Sequence, residues 1–496
     1  MTTVRANARL VDRLRGRILP EREGARFVDR PYASVQLLLL AAVGLLGFGV
    51  LMAVSTTIAV SHSAGGTSSM WAQMIKEAEF VAIGLPLFWF AMRMPPRAYR
   101  LLAYPCLVLA IVALVAVLIP GVGVMFYGAR RWIDVGPLQV QPSEFAKVAI
   151  LLWGGDLLAR KQQLGTLRRA RHLFVPLLPG VVLVAMLVML EPDLGTTLCF
   201  MLILLGLLWM VGMPLRYFIG VVMLVAGAVT ALAFAAPYRL VRLTTFLHPF
   251  KDAKNSGFHT VEGLYALASG GVFGVGLGQG TSKYGWVPNA SSDYVFAIIG
   301  EELGLIGCLA VLALFGLLAY TGMRIARRNA DPFVRIVAGG ATVWLCGQAV
   351  INIGYVTGLL PVTGIPLPFI SAGGTSLLAS FFVVGMLVSF ARHETPAVAA
   401  ARKAERLGAR SRLERLLRVP VPKAYVAPKR RTAHGQRTPP ARRVAAPAPA
   451  PVPRKSAARP VPVPVPASRK SAARRPGAAL PPLRATGTDG MPRRPR

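Results

Sequence analysis

Residues 34–60 read SVQLLLLAAVGLLGFGVLMAVSTTIAV and contain no aspartate, glutamate, lysine or arginine. A helix that crosses the hydrocarbon core of a bilayer needs about 20 mostly apolar residues. This run exceeds that length, and it is also too long for the apolar region of a cleavable signal peptide. The stretch therefore predicts a membrane-spanning helix that is retained.

Nine further apolar runs follow along the chain. A backbone in lipid must satisfy its own polar groups, so each run is expected to be helical. We therefore expect an all-α polytopic membrane protein with ten transmembrane helices. The predicted spans are 34–60, 78–93, 99–120, 143–160, 173–190, 196–213, 217–236, 293–323, 333–356 and 374–391.

The composition of the whole chain supports this class. Of the 496 residues, 54% are hydrophobic and only 16% are charged, and the mean hydropathy is +0.53. Soluble domains average about 25% charged residues. The composition excludes an ordinary cytosolic enzyme, a disulfide-rich secreted domain and a wholly disordered chain.

Loop charges predict the orientation. Ten spans place both termini on one side, and positive charge favours the cytoplasmic side of a membrane. The loops on the side of the N-terminus, with their flanking residues, hold 21 lysines and arginines, whereas the opposite loops hold 8. We expect a basic cytoplasmic N-terminal segment (1–33), a ten-helix membrane domain (34–392) and a large extracytoplasmic loop (237–292) within it.

The C-terminal segment 393–496 is basic and rich in proline. From residue 392 onwards the chain holds 26 lysines and arginines against 4 aspartates and glutamates. Such a composition cannot form a core, so a disordered cytoplasmic tail is predicted. The tail either anchors the topology or binds a cytoplasmic partner or anionic lipid; without an aromatic platform, nucleic-acid binding is not expected.

Charged residues close to or within the apolar runs are candidate functional groups, because burying a charge in a membrane is costly. Glu144 and Lys147 lie three residues apart at the start of one predicted helix, with Ser143 as its expected cap. They form either a structural ion pair or a cationic site for a phosphate. Basic residues that are predicted on the outer side suit a phosphate in the same way: Arg130, Arg131, Arg239, Arg242 and Lys283.

Asp293 lies at the start of a predicted span and is a candidate general base or cation ligand. A helix cap is the alternative role for this residue. Glu301 and Glu302, eight and nine residues further on, lie about 12–14 Å away along a helix. That is too far for a paired acid and base on one bond, so we expect them to contact neighbouring helices or an inner cavity.

Several long motifs occur in the same order as in the SEDS family of shape, elongation, division and sporulation proteins, which the chain resembles over residues 34–392. The segments that carry the resemblance are Gly128–Asp134, Gln141–Lys147, Glu191–Gly195, Arg242–Pro249, Gly276–Gly280, Pro288–Gly304 and Leu367–Ser376. Within that family the chain looks most like the division proteins of actinobacteria.

The resemblance implies a peptidoglycan glycosyltransferase that polymerises lipid II at the outer face of the cytoplasmic membrane during septal wall synthesis. It matches Asp293 to the family's essential acidic residue, and Glu144 and Lys147 to its buried charged pair. It further implies a divalent cation (Mg²⁺ or Mn²⁺) as cofactor, a class B penicillin-binding transpeptidase as partner and other divisome proteins nearby. A lipid II flippase, an elongation-type polymerase and a division scaffold are the alternatives.

Overall fold

The computed structural model describes residues 29–63, 67–126, 128–136, 138–168, 170–234, 241, 245–252, 257–287, 290–407 and 420–427. The elements in these ranges are mostly helices. In chain order the helices are α1 (Ala33–Ser63), α2 (Thr67–Arg93), α3 (Pro96–Leu118), α4 (Pro142–Leu164), α5 (Ala170–Phe174), α6 (Leu177–Leu190), α7 (Leu194–Met210), α8 (Leu215–Phe234), α9 (Phe258–Ser269), α10 (Val295–Arg328), α11 (Pro332–Val356), α12 (Gly374–Arg392) and α13 (Thr395–Arg406).

Each of the ten predicted spans coincides with one of these helices. Six of them are long and apolar enough to cross a membrane: α1, α3, α8, α10, α11 and α12. Helices α6 and α7 are apolar but shorter. The protein is therefore a multi-pass membrane protein, and a count of ten spans is compatible with the helices. Helix α2 begins at Thr67 rather than at residue 78, so it is much longer than predicted.

The segment between α3 and α4, which separates two predicted spans, forms a small antiparallel sheet. Its strands are β1 (Gly123–Phe126), β2 (Ala129–Val135) and β3 (Leu138–Val140), in the order β1-β2-β3. A tight link joins each pair of strands, and Gly128 and Gly136 have positive φ angles in these links, a conformation that glycine adopts without strain. The sheet leads directly into α4, so it positions the charged residues at the start of that helix.

Helices α11 and α12 lie at the centre of the bundle, and α8 lies at its periphery. In the most apolar 18-residue window of each helix, 67% of α11 and 78% of α12 are buried, against 6% of α8. Close packing against α12 depends on glycine: a Cβ atom at Gly84 of α2 would come within 2.2 Å of the Phe381 ring. Gly84 therefore allows α2 to pack closely against α12.

Helix α10 is broken at Gly304, which has φ 66° and ψ −163°. The glycine-rich loop 270–280 fills the break. The amides of Val275 and Gly276 donate to the carbonyls of Glu301 and Glu302 at 2.9 and 3.1 Å, and the Leu305 amide donates to a loop carbonyl at 3.0 Å. The backbone of the glycine-rich loop therefore approaches the backbone of α10 closely.

We expect Gly274→Ala to destabilise the protein. Gly274 has φ +82°, and a Cβ atom there would lie 2.2 Å from the carbonyl oxygen of Glu302. The left-handed backbone alone costs about 1–3 kcal/mol for a residue with a side chain. The check is the melting temperature of the purified protein in detergent. Gly227→Ala in α8 is the control, because its Cβ would meet nothing within 4 Å; equal melting of the two variants would contradict the packing described.

Candidate active site

Asp293 lies immediately before the cap of α10 and is partly exposed. The helix begins at Val295 with Tyr294 as its N-cap, and the Tyr294 side chain makes no capping hydrogen bond. The carboxylate of Asp293 lies beside Gly364, where an added Cβ would come 3.5 Å from its Oδ2 atom. Asp293 therefore lies where the start of α10 meets the loop between α11 and α12 (residues 357–373).

Two side chains of α11 hold the backbone of Asp293. Asn352 Nδ2 and the Tyr355 hydroxyl each donate to the Asp293 carbonyl at 3.0 Å. Asn352 Nδ2 also donates to the Ile365 carbonyl at 2.8 Å, and the single hydroxyl hydrogen of Tyr355 is shared between the Asp293 carbonyl and the Ile365 carbonyl, which lies 2.8 Å from the hydroxyl oxygen. Asn352 is fully buried and so is Tyr355. One turn of α11 therefore fixes the position of Asp293 against the 357–373 loop.

The other end of that loop is bonded to the residues just before Asp293. Ser371 Oγ donates to the Ser292 carbonyl at 2.5 Å and accepts from the Leu367 amide at 2.7 Å. The Ala372 amide donates to the Ser291 carbonyl at 2.8 Å. The segment 291–293 is thus attached to the loop at two separate points, which restricts the motion of the Asp293 carboxylate.

The pair predicted at the start of α4 is formed and buried. The Lys147 ammonium lies 2.7–2.8 Å from the carboxylate oxygens of Glu144, and Lys147 is 1% exposed. Ser143 is not the cap of this helix as predicted. Gln141 is the N-cap, Pro142 follows it, and Ser143 lies inside the first turn.

A chain of side chains links this pair to the Asp293 loop. Lys147 Nζ lies 5.4 Å from the centre of the Trp344 ring. The Trp344 indole donates to Gln348 Oε1 at 2.9 Å, and Gln348 Nε2 donates to the Pro366 carbonyl at 2.8 Å. Pro366 follows Ile365, the residue that Asn352 and Tyr355 bind. The buried pair and Asp293 are therefore parts of one connected structure.

The two adjacent arginines of β2 have different surroundings. Arg131 donates to the carbonyls of Glu191 and Pro192 at 2.9 and 2.6 Å, so it fastens the sheet to the turn between α6 and α7. Arg131 has no partner residue in the β1–β2 register, which shifts at this point, and Arg130 pairs with Met125 next to this irregularity. Arg130 is partly exposed there.

Asp193, in the same α6–α7 turn, organises the start of α7. It accepts hydrogen bonds from the Thr196 amide and hydroxyl at 3.0 and 2.8 Å, and from Gln141 Nε2 at 3.2 Å. Glu191 is 1% exposed, and its carboxylate oxygens have no hydrogen-bond partner among the described residues. The pKa of Glu191 is raised to about 9, mainly because the carboxyl is buried; the nearby Asp193 adds to this increase and Arg131 opposes it.

Lys283 is buried next to the break in α10. Its ammonium lies 2.7 Å from Glu302 Oε1, 2.8 Å from Ser55 Oγ and 2.9 Å from the Gly278 carbonyl. Glu301 accepts hydrogen bonds from the amides of Thr281 and Ser282 at 2.8 and 3.1 Å. These carboxylates therefore hold the glycine-rich loop against the break in α10.

Arg239 and Arg242, the remaining predicted anion-binding residues, lie outside the described residues. The described parts of the predicted 237–292 loop include α9 and the glycine-rich loop, so this region contains ordered secondary structure.

An apolar cavity of about 430 Å³ opens beside the site, between α1, α2 and residues 369–374. Its lining includes Phe80, Ile370, Ser371 and Glu77. Ser371 is also bonded to Ser292, so the cavity and the Asp293 segment share part of their wall.

The structure offers no preformed metal cage within the described ranges, where no group of three or more His, Cys, Asp or Glu side chains is suitably placed. Asp293 supplies a single carboxylate near the surface. Magnesium is commonly bound by one or two carboxylates together with oxygens of a phosphate-bearing substrate, and Asp293 fits that kind of site.

Sequence reasoning identified the charged residues but missed the neutral ones that position them. Asn352, Tyr355 and Gln348 lie on one face of α11, and polar side chains within an apolar helix were the available signal. The sequence shows Glu191 between two apolar runs. It does not show that the side chain is buried where the turn contacts Arg131 of β2.

Residues 36–396 match the cell cycle protein family FTSW_RODA_SPOVE. The chain is 42% identical over 415 residues to the probable peptidoglycan glycosyltransferase FtsW of Mycobacterium tuberculosis, covering 84% of this chain and 78% of that protein. It is 36% identical over 357 residues to the stage V sporulation protein E of Bacillus subtilis, covering 72% and 96%.

Two solved structures are similar in fold. One comes from a study of how a peptidoglycan synthase complex coordinates polymerization and crosslinking; it has a TM-score of 0.58 and 26% identity and covers 72% of this chain and 96% of that chain. The other is the rod shape determining protein RodA of Thermus thermophilus, with a TM-score of 0.51 and 24% identity, covering 76% and 99%. At 24% identity, the similarity to RodA is evidence for the fold alone.

We expect Lys283→Met to destabilise the protein by about 3–5 kcal/mol, because it leaves the Glu302 charge buried without its cation. Lys283→Met combined with Glu302→Gln removes both charges and is expected to recover most of that loss. Thermal melting of both variants in detergent measures the difference. A double variant as unstable as the single one would contradict the pairing.

Stability is expected to fall as pH rises from about 5 to about 9, owing to Glu191. Its folded-state pKa of about 9 exceeds the usual carboxyl value, so the folded state holds a proton that the unfolded state releases. The slope is up to about 1.4 kcal/mol per pH unit. Melting temperatures at pH 6–9 should decline less for Glu191→Gln than for the unmodified protein; parallel declines would contradict a buried, protonated Glu191.

Proposed function

The chain belongs to the FtsW/RodA/SpoVE cell cycle protein family, and on that basis we propose that it is a peptidoglycan glycosyltransferase that polymerises lipid II into glycan strands. The observation that carries the proposal is the placement of Asp293. Its carboxylate is partly exposed, while its backbone is fixed by two buried side chains of α11. A general base has to be accessible to the substrate and held in a fixed position.

The division branch of the family is the better assignment. The identity to the mycobacterial FtsW proteins extends over 84% of this chain, which is more than the family region alone. We therefore propose that the protein acts in septal wall synthesis at the division site. An elongation-type polymerase like RodA has the same fold and is the alternative.

The proposed orientation follows from the loop charges. The loops with the larger number of lysines and arginines lie at the end of the bundle that carries the α2–α3 and α10–α11 turns. With that end and both termini in the cytoplasm, Asp293 faces the outer side of the cytoplasmic membrane. Peptidoglycan is assembled on that side, so the orientation and the proposed activity agree.

In the proposed reaction Asp293 accepts the proton of the acceptor sugar's 4-hydroxyl. The hydroxyl oxygen forms a bond to the anomeric carbon of the donor as the bond from that carbon to the pyrophosphate breaks. The electron pair of the broken bond leaves with the lipid pyrophosphate. Proton transfer by a positioned side chain typically contributes about 10²–10⁴-fold to a rate.

The leaving pyrophosphate needs positive charge nearby, and the predicted basic residues contribute in different ways. Arg130 is partly exposed on the sheet and is proposed to contact phosphate directly. Lys147, Arg131 and Lys283 are bonded within the protein, so we propose that they set the local charge and hold the loops. Arg239 and Arg242 remain proposed phosphate ligands on the strength of their sequence positions.

The apolar cavity between α1 and α2 is the proposed site for part of the polyprenyl chain. It is lined mainly by apolar side chains, and it shares Ser371 with the segment that fixes Asp293. A lipid-linked substrate would place its chain in the cavity and its sugar beside the carboxylate. Glu144 and Lys147 support this arrangement through the Trp344–Gln348 link to the loop.

We also propose that Asp293 holds a divalent cation, Mg²⁺ or Mn²⁺, together with phosphate oxygens of the substrate. A single exposed carboxylate is sufficient when the substrate supplies the other oxygens. When bound, the cation would offset negative charge on the leaving pyrophosphate.

The proposed partner is a class B penicillin-binding transpeptidase, which crosslinks the strands made by this protein. The similarity to a chain in a peptidoglycan synthase complex supports a partnership of this kind. Other division proteins are expected at the same site. The basic tail beyond residue 427, which lies outside the described residues, is proposed to bind a cytoplasmic division partner.

Transport of lipid II is a weaker alternative because the charges inside α10 are already paired. A flippase path needs polar groups that contact the head group across the membrane. Glu302 is bound by Lys283 and Ser55, and Glu301 by loop amides. These contacts support a role in holding the loop.

Asp293→Asn is expected to lower lipid II polymerisation by at least about 100-fold, because an amide does not accept the hydroxyl proton. The measurement is glycan-chain formation by the purified protein with its transpeptidase and Mg²⁺, resolved on a gel. Melting of the variant at the temperature of the unmodified protein would show that the fold is intact.

Asp134→Asn is the matched control, since it makes the same change at an exposed aspartate of β2. It should polymerise lipid II normally. Full activity of Asp293→Asn, or equal losses in both variants, would contradict the proposed role of Asp293. A flux assay for lipid II on the same variant would distinguish polymerisation from transport.

A further inference from the structure

A second cavity, lined by several charged side chains, lies at the opposite end of the bundle from Asp293. Its volume is about 530 Å³, and it lies between the α2–α3 turn, the α10–α11 turn, the end of α12 and residues 420–426. The basic side chains that line it are Arg93, Arg97, Arg100 and Lys423. The proposed catalytic reaction uses none of these residues.

The lining of this cavity carries more basic than acidic side chains. Asp331 is the acidic residue of the lining, and it is already engaged: its Oδ1 accepts from Arg100 at 3.0 Å and from the Phe333 amide at 3.0 Å. Within the described residues, no carboxylate lies within ion-pair distance of Arg93, Arg97 or Lys423. Three cations therefore face the cavity without an ion-pair partner from the described chain.

The wall that carries Lys423 is held in place by specific contacts. Arg392 donates to the Pro420 carbonyl at 2.6 Å, and Gln163 donates to the Tyr425 hydroxyl at 3.1 Å. Pro422 is buried. Residues 420–427 thus pack against the bundle, and this part of the C-terminal segment forms one wall of the cavity.

Apolar side chains continue along the outside of the bundle next to the cavity. Phe90 and Leu101, on the two helices that border it, are 56% and 78% exposed. Arg93 lies 4.4 Å from the ring centre of Trp89, a pairing of a cation and an indole that suits the membrane interface. From these side chains we expect the cavity to lie near the level of the lipid head groups.

We infer that this cavity binds a phosphoryl group, with an anionic phospholipid head group as its source. Basic pockets between transmembrane helices on the cytoplasmic side bind acidic lipid head groups. Basic side chains without an ion-pair partner among the described residues favour an anionic phosphodiester over a zwitterionic head group, and the exposed apolar surface of α2 and α3 accommodates the acyl chains. Free phosphate shares the chemistry of the head group but makes no use of that surface.

The test is lipid binding by the full-length protein in detergent, measured by native mass spectrometry during titration with phosphatidylglycerol, phosphatidylcholine or inorganic phosphate. Phosphatidylglycerol is expected to bind at least 10-fold more tightly than phosphatidylcholine. Each cation near a lipid surface contributes about 1 kcal/mol, or roughly 5-fold. Arg97→Gln combined with Lys423→Gln should therefore weaken phosphatidylglycerol binding roughly 25-fold.

Arg216→Gln combined with Arg327→Gln is the matched control, because it removes the same charge from exposed residues outside the cavity. Arg97→Lys with Lys423→Arg should keep the binding and would show that the cavity still forms. Equal losses in the Arg97/Lys423 glutamine variant and the control would overturn the site. Tight binding of inorganic phosphate that is lost in the same variant would uphold a phosphoryl site but overturn the lipid as its source.

Discussion

The described site depends on hydrogen bonds that two buried side chains of α11 make with backbone carbonyls outside any helix. Asn352 and Tyr355 each bind the carbonyls of Asp293 and Ile365. An unpaired carbonyl in an apolar bundle costs about 1–3 kcal/mol, so these contacts are needed wherever a loop enters the core. The same hydrogen bonds fix the backbone of Asp293. They therefore both stabilise the 357–373 loop and position the Asp293 carboxylate.

Buried ion pairs stabilise the surrounding loops. Glu144 and Lys147 are both almost fully buried, as are Glu302 and Lys283. The desolvation of two buried charges can cost more than their mutual attraction gains. Removing one partner of such a pair costs about 3–5 kcal/mol, because the other charge stays buried without compensation. One pair is linked to the Asp293 loop through Trp344, and the other fastens the glycine-rich loop to α10. The pairs thus specify where irregular backbone lies within an otherwise apolar structure.

Hydrophobic runs in the sequence located the helices well, because length and apolar character decide what crosses a membrane. The sheet after α3 was missed, since its strands are only three to seven residues long and carry little periodic signal. Glu301 and Glu302 illustrate the limit for site residues. Their positions within a span were visible, but their partners come from a loop about 20 residues earlier in the chain. Asn352 and Tyr355 were missed because a neutral polar residue in a helix does not reveal which distant carbonyl it binds.

The central claim is that α11 positions Asp293 for catalysis. Its most direct test is the steady-state rate of lipid II polymerisation by Tyr355→Phe, which keeps the ring and removes the hydroxyl that binds the Asp293 carbonyl. A lost hydrogen bond of about 1 kcal/mol predicts a fall in kcat of roughly five-fold at an unchanged KM for lipid II. Tyr320→Phe, on the exposed side of α10, should leave both values unchanged. An unchanged kcat in Tyr355→Phe would contradict the claim.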